Sequence, residues 1–298
     1  MKPYSTLKGH SLWQKAWTQL LNHRAAQISL VLLLCVSVLV VIAPYLSHYS
    51  FDEIDWTAIG IPPSFKTGHY FGTDLLGRDL FVRTLLGGRT SLSVSIIAGV
   101  VSIVIGVTYG ALSGFFGGRL DAIMMRIVDV LYALPFLFFV ILLVAIFGRH
   151  LFLLYIGIAA VHWLDLARIV RGQTLALKHK EFIIAARAQG ATPLRIIRRH
   201  IIPNVLGLVV VYMTLTIPQV VLTESFLSFL GLGVQEPNTS WGVLMSDGAK
   251  NMTIAWWTLV FPALFLGSTL LCLNYLGDGL RDALDSRDLY VRHHREET

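Results

Sequence analysis

The sequence predicts an all-α integral membrane protein with six transmembrane helices. Three observations carry that reading. Hydrophobic residues make up 55% of the 298 and charged residues only 14%, too oily a balance for a water-soluble domain of this length. Apolar stretches long enough to cross a bilayer recur at 25–46, 91–113, 122–147, 151–167, 205–225 and 255–276. Lysine and arginine are shared unevenly among the segments between them. With the N-terminus inside, 18 of the 24 fall on inner segments and 6 on outer ones, the bias of cytoplasmic loops. That bias explains the net charge of +6 without any nucleic-acid partner. Both termini are expected to be cytoplasmic.

Residues 1–24 form a polar cytoplasmic segment. Leu12, Trp13, Trp17, Leu20 and Leu21 share one face of a short amphipathic helix, suited to the membrane surface. The first transmembrane helix, 25–46, has too long an apolar core for a signal peptide, and no small-residue cleavage site follows it. Residues 47–90 make an extracytoplasmic loop, stiffened at Pro62-Pro63. In its last part, HYFGTDLLGRDLFVRTLLGGRTSL, Asp74 is expected to cap a helix. Asp79 and Arg83, four apart, are expected to pair on its surface.

The core domain, 91–277, holds the other five spans. In the second, Ser102, Gly106, Gly110 and Gly114 recur every four residues, a stripe that lets another helix come close. Gly117-Gly118-Arg119 then turns the chain. In the third, Arg126 and Asp129 are expected to satisfy each other, and Pro135 to kink the helix. In the fourth, Asp165 is expected to pair with Arg168. His162 has no partner at ligand spacing, so no metal site is expected. Pro218 is expected to break the fifth span. Glu224, near its outer end, is a candidate for the gate or pathway, with a structural cap or pair as the alternative. A Gly-rich return, SFLSFLGLGVQEPNTSWGVLMSDG, leads to the sixth span, and residues 278–298 form a cytoplasmic tail. Cys35 and Cys272 both fall in apolar spans, so no disulfide framework is implied.

Between the fourth and fifth spans lies a basic cytoplasmic loop, 172–203, ending in EFIIAARAQGATPLRIIRRHIIPN. A first short helix is expected from Glu181 to about Gln189, stopped at Gly190. Thr192 as N-cap and Pro193 at the first helical position announce a second. Arg195, Arg198 and Arg199 share one face of it, Ile196 and Ile197 turn away, and Pro203 is expected to end it. Such a helix–bend–helix suits a groove in another protein. A solvated loop, basic because it is cytoplasmic, fits the spacing equally well.

Ala185, Ala186, Gly190 and Pro203 stand at the spacing of the EAA loop in the membrane subunits of ATP-binding-cassette importers, and the loop resembles that motif. The motif's acid falls on Ile184; Glu181 lies one turn earlier and could serve a similar face. TESFLSFLGLGVQEPNTSWG and NYLGDGLRDALD resemble the peptide and nickel permease branch of that family. HYFGTD, MMRIVD and ARIVRGQTL resemble most the C-type subunits of oligopeptide permeases. The resemblance implies the type I importer permease fold in a bacterial inner membrane, surrounded by membrane lipid. It implies a B-type permease partner, two ATP-binding-cassette ATPase subunits, an extracytoplasmic peptide-binding protein and oligopeptide cargo. Dipeptide, murein-peptide or nickel cargo are the alternatives. Glu181, Ile184, Ala185, Ala186, Gly190, Arg195, Arg198, Arg199 and Pro203 would form the ATPase-coupling loop.

Hydrolysis would belong to the partners. The sequence has no Gly-Lys-Ser/Thr, hence no P-loop, and no Ser-His-Asp or paired-carboxylate set. No catalytic residue and no cofactor is expected. A secondary transporter driven by an ion gradient competes from another class, but it would call for mid-membrane acids or paired half-helices. Stretches 25–46, 91–113 and 255–276 contain no Asp, Glu, Lys, Arg or His. A membrane-embedded hydrolase is disfavoured by the missing catalytic set.

Overall fold

The computed structural model describes Leu20 and residues 23–284. The N-terminal amphipathic helix and the end of the tail therefore lie outside the described residues. These contain only helices and connections: α1 (Arg24–Leu46), α2 (Leu80–Phe116), α3 (Gly118–Ala133), α4 (Phe136–Phe147), α5 (Leu151–Leu177), α6 (Glu181–Ala188), α7 (Pro193–Ile196), α8 (Ile202–Phe229), α9 (Trp241–Lys250) and α10 (Trp257–Leu284). Five stretches are long and apolar enough to cross a membrane: α1, α2, α5, α10, and the continuous run of α7 into α8. The pair α3–α4 passes the same test together and is bent by 84°, which makes a sixth crossing if it forms one span.

The glycine stripe of α2 is a helix-packing seam. A Cβ on Gly106 would lie 2.9 Å from the Leu166 side chain, one on Gly110 2.4 Å from the Ala167 carbonyl, and one on Gly114 2.7 Å from the Arg171 carbonyl. All three neighbours are on α5, so only glycine permits this separation. Around the seam sits an apolar core of Val107, Ala111 and Phe115 from α2, Leu166 and Val170 from α5, and Val205 and Val209 from α8. At the opposite end α9 lies across α2, α8 and α10. Trp241 at its start is fully buried, and its indole N–H donates to the Thr84 carbonyl at 3.0 Å.

Several local expectations are corrected. Helix α2 starts at Leu80, well before the predicted span, and its cap is Asp79 rather than Asp74: Asp79 Oδ1 accepts from the Val82 N–H at 2.9 Å. Asp79 does not pair with Arg83. The cap turns its carboxylate toward the helix end, where the other oxygen meets His69 Nδ1 at 2.8 Å. Asp74 instead closes a turn, accepting from the backbone N–H of Leu76 and Arg78. Arg126–Asp129 and Asp165–Arg168 do not form either. Arg168 Nη2 donates to Asp129 at 2.9 Å, and its guanidinium lies over the Tyr132 ring, because α3 and α5 pack side by side and offer a partner across the interface.

The prolines divide. Pro135 ends one helix and starts the next, with Leu134 before it in extended conformation. Pro218 does not break α8. The carbonyl it leaves free, that of Thr214, faces Gly277 of α10, where a Cβ would come within 2.9 Å. Pro203 does not end the inner loop's second helix. A π-helical turn, Ile197–Ile201, carries α7 into α8, with the Ile202 N–H bonded five residues back to Ile197. Pro203 then sits in the first turn of α8, where a missing N–H is tolerated.

Candidate functional site

The loop between α5 and α8 is built as two short helices with one corner at Gly190. Helix α6 ends in a Schellman arrangement: Gly190 N–H donates to the Arg187 carbonyl at 3.0 Å and Ala191 N–H to the Ala186 carbonyl at 3.1 Å, with Gly190 at φ +81°. Thr192 is the N-cap of α7 by backbone, without a side-chain bond, and Pro193 holds the first helical position. Ile183 and Ala186 of α6 and Ile196, Ile197 and Ile201 beyond it are buried against α2, α5 and α8. The corner is therefore seated on the spans by its apolar side.

The opposite side carries the residues singled out by sequence. Ile184 is 55% exposed, Leu194 60% and Phe182 43%, and Glu181, Ala185, Arg195, Arg198 and Arg199 are exposed with them. Thr192, Leu194 and the three arginines line a depression of about 450 Å³. None of the three arginines enters an ion pair among the described residues. Ala186 is buried against its own chain, and Ala185 faces outward. Phe182 and Leu194 went unnoticed in the sequence, although each stands beside a buried position of its helix.

Polar contacts fix the neighbouring ends of the long helices beneath this surface. Arg171 on α5 grips Asp121 on α3 side-on, Nε to Oδ1 at 2.6 Å and Nη2 to Oδ2 at 2.7 Å. Ser113 of α2 donates to the same carboxylate. Lys178 Nζ donates to the Gly114 carbonyl at 3.1 Å. Helix α7 runs through the π turn into α8 as continuous helix, while these contacts tie α2, α3 and α5 together.

Glu224 is placed deep in the chain, 0% exposed. Ser228 donates to it at 2.8 Å and Ser225 at 3.2 Å. Ser91 of α2 and Ser240 before α9 also face it. The hydroxyl oxygens of these two accept from the Trp241 and Val243 N–H groups, leaving their protons for the carboxylate. Glu224 joins α8 to α2 and α9 within this chain.

At the end opposite the inner loop is a cavity of about 480 Å³ between the 74–83 and 228–258 segments. Arg78 spans it, donating to Asp74 at 2.7 Å and to Glu236 at 2.8 Å. Its guanidinium holds the Glu236 carboxyl below the usual carboxylate range. Sequence reading did not find this cavity, since its walls lie about 158 residues apart along the chain.

Five apolar crossings, with the bent α3–α4 pair as a sixth if it forms one span, and a glycine-packed helix pair define a multi-span membrane protein. Residues 106–288 match the family described as binding-protein-dependent transport system inner membrane component. Residues 11–63 match the N-terminal TM domain of oligopeptide transport permease C. The chain belongs to this family of inner-membrane ABC importer permeases. It is 52% identical to the oligopeptide transport system permease protein OppC of Haemophilus influenzae over 95% of this chain and 91% of that one. It is 53% identical to OppC of Escherichia coli K12, over 95% and 93%. Against the dipeptide transport system permease protein DppC of Bacillus subtilis the identity is 46%, over 93% and 86%. These relatives are transport permeases, not enzymes. Among solved structures, an inward-facing MetNI methionine ABC transporter chain has the same fold, with a TM-score of 0.54 and 21% identity over 68% of this chain and 96% of that one.

Proposed function

We propose that this chain is the translocation subunit of an ATP-driven oligopeptide importer, non-hydrolytic itself and coupled to ATPase subunits through α6–α7. The observation that carries this reading is the two-sided corner at Gly190. One side is buried on the spans; the other offers Phe182, Ile184, Ala185 and Leu194 beside Arg195, Arg198 and Arg199. Exposed apolar side chains next to unpaired arginines suit an interface with an acidic-rimmed protein groove. The acid of the family motif is replaced by Ile184, so the grip leans on apolar contact and on the arginines, with Glu181 at the edge.

A second permease subunit of B type would complete the passage, two ATP-binding-cassette subunits would bind the inner face, and an extracytoplasmic peptide-binding protein would deliver cargo. Oligopeptide cargo is favoured by the OppC relatives at 52–53% identity over the dipeptide relative at 46%. Reconstitution of the chain with these partners tests the reading. Vesicles should take up tripeptides only when ATP is supplied on the cytoplasmic face, and the purified chain alone should hydrolyse none. ATPase activity intrinsic to the isolated chain, or uptake driven by an ion gradient without ATP, would overturn it.

A further inference from the structure

A depression of about 260 Å³ opens beside α2 where that helix passes Phe51 and the loop residues Asn238 and Thr239. Leu86, Arg89, Thr90 and Ser93 make its α2 wall, and no acid lines it among the described residues. Arg89 is exposed. Its Nη1 donates to the Tyr45 hydroxyl at 3.0 Å, and it enters no ion pair among the described residues. The acids that follow Phe51 are engaged elsewhere: the Ser50 hydroxyl donates to Asp52 at 2.6 Å and the Ser50 N–H to Glu53 at 3.2 Å. Asn238 is exposed too, and its side-chain amide makes no hydrogen bond among the described residues. The Thr90 and Ser93 hydroxyls donate to carbonyls of their own helix. The free donors are therefore the Arg89 guanidinium and the Asn238 amide. Both can be reached from outside, and together they suit an anion.

The surroundings say which kind. Tyr45 stands exposed in the last turn of α1. Helix α1 lies against α2 at this level, where a Cβ on Gly88 would come within 2.9 Å of the Val40 side chain. A tyrosine at the end of a span marks the headgroup depth of a bilayer. The apolar run of α2 begins at residue 91, two positions past Arg89, which sets the same boundary. Beyond it, the face of α2 that carries Arg89 and Ser93 continues at helical spacing into Ile97, Val100 and Val104, with Ile96 beside them, all exposed. An aqueous anion would leave that strip untouched. A molecule with a phosphate at one end and acyl chains at the other matches the depression and the strip together.

We infer that this depression holds the phosphate of a membrane phospholipid, with Arg89 and Asn238 on its oxygens and the acyl chains along Ile97, Val100 and Val104. The site depends on the chain spanning a bilayer and not on what it transports. The lipid belongs to the leaflet on the side of the 47–79 segment.

The experiment takes the full chain in detergent, stripped of lipid, and titrates it with dioleoylphosphatidylglycerol under native mass spectrometry. Wild type should take one copy at concentrations where two probes leave it bare: dioleoylglycerol, which has the chains without the phosphate, and inorganic phosphate, which has no chains. Arg89→Gln should raise the half-occupancy concentration about fivefold and leave the thermal midpoint of the lipid-free chain unchanged, since Arg89 is exposed. Asn238→Ala serves if Arg89→Gln does not fold. Val100→Ser keeps both donors and should also weaken binding. Occupancy by dioleoylglycerol equal to that by the phospholipid would overturn the inference, as would unchanged binding in Arg89→Gln. Inorganic phosphate binding as well as the lipid would leave an aqueous anion site and remove the lipid. Loss of the lipid on adding a second permease subunit would give this face to that subunit and equally overturn the inference.

Discussion

A single buried carboxylate illustrates how much a side chain's surroundings decide. Glu224 reads in the sequence as a costly acid near a span end, open to a gating role. In the folded chain four serine hydroxyls face it and no solvent reaches it, so it acts as a joint between α8, α2 and α9. Replacing it with leucine would leave those hydroxyls unsatisfied, at a cost on the order of 1–3 kcal/mol. Glu224→Gln can still accept from them. We expect Glu224→Leu to lower the thermal midpoint of the detergent-solubilised protein, and Glu224→Gln to leave both midpoint and uptake close to wild type. A large uptake defect in a well-folded Glu224→Gln would instead support the gate role.

Glu236 makes a second residue-scale prediction. Hydrogen bonding from Arg78 depresses its pKa below the ordinary 4.5, so its link to Arg78 favours the folded form above about pH 4.5 and weakens as the pH falls through the lower folded value. A stability difference between wild type and Glu236→Gln should therefore persist at pH 6 and shrink in stronger acid; a difference that grew in acid would contradict the pairing. This pair was not legible in sequence. Spacing of i and i+4 proposes local partners such as Asp74 for Arg78, whereas Glu236 reaches Arg78, and Asp129 reaches Arg168, only across the fold.

At the scale of elements, glycine was read well and proline less well. The α2 stripe and the Gly190 stop depend on backbone geometry that only glycine supplies cheaply, and that requirement is local. A proline's effect depends on what receives the carbonyl it frees. Pro135 has no helix-continuing neighbour and ends α3, while Pro218 is buried where α10 comes close with Gly277, and α8 continues. Pro203 is absorbed by a π turn that periodicity does not announce. The consequence for the loop is a stiffer lever than two hinged helices, since α7 and α8 form one continuous run. Gly190 is then its one free corner. A side chain there would meet nothing within 4 Å in this chain, so substitution acts through backbone strain of about 1–2 kcal/mol for a bulky residue at positive φ. It also intrudes on whatever docks. Gly190→Leu should insert in the membrane yet lose ATPase co-purification or uncouple hydrolysis from uptake. Gly190→Asn, which tolerates the left-handed region, should be far milder. Equal effects of the two would show that the corner's conformation is not what matters.

At the scale of the whole molecule, the fold sorts charges by end. The Arg78–Glu236 pair places the 47–79 segment and the 230–240 loop at the same end of the helices, with Arg83 beside them. Lys178 on Gly114 and Arg171 on Asp121 gather the opposite end beneath the basic corner. The end holding Arg78 and Glu236 belongs to segments with 6 Lys and Arg, and the other to segments with 18 of the 24. Translocation of a positively charged loop is disfavoured during insertion, so the basic corner should face the cytoplasm. The long first outer segment is the weak point of a charge count, because long loops cross with less regard for charge; its attachment through Arg78 to the short 230–240 loop lends support independent of the count. Pro62 and Asn238 are both exposed at that end. With Cys35 and Cys272 replaced by alanine, cysteine at 62 or 238 should react with a membrane-impermeant thiol reagent in cells whose outer barrier is permeabilised, while cysteine at 195 should react only after the inner membrane is opened. The reverse pattern would turn the molecule over and take the coupling role of α6–α7 with it. Labelling of 62 without 238, in a folded protein, would break the common end that Arg78 and Glu236 define.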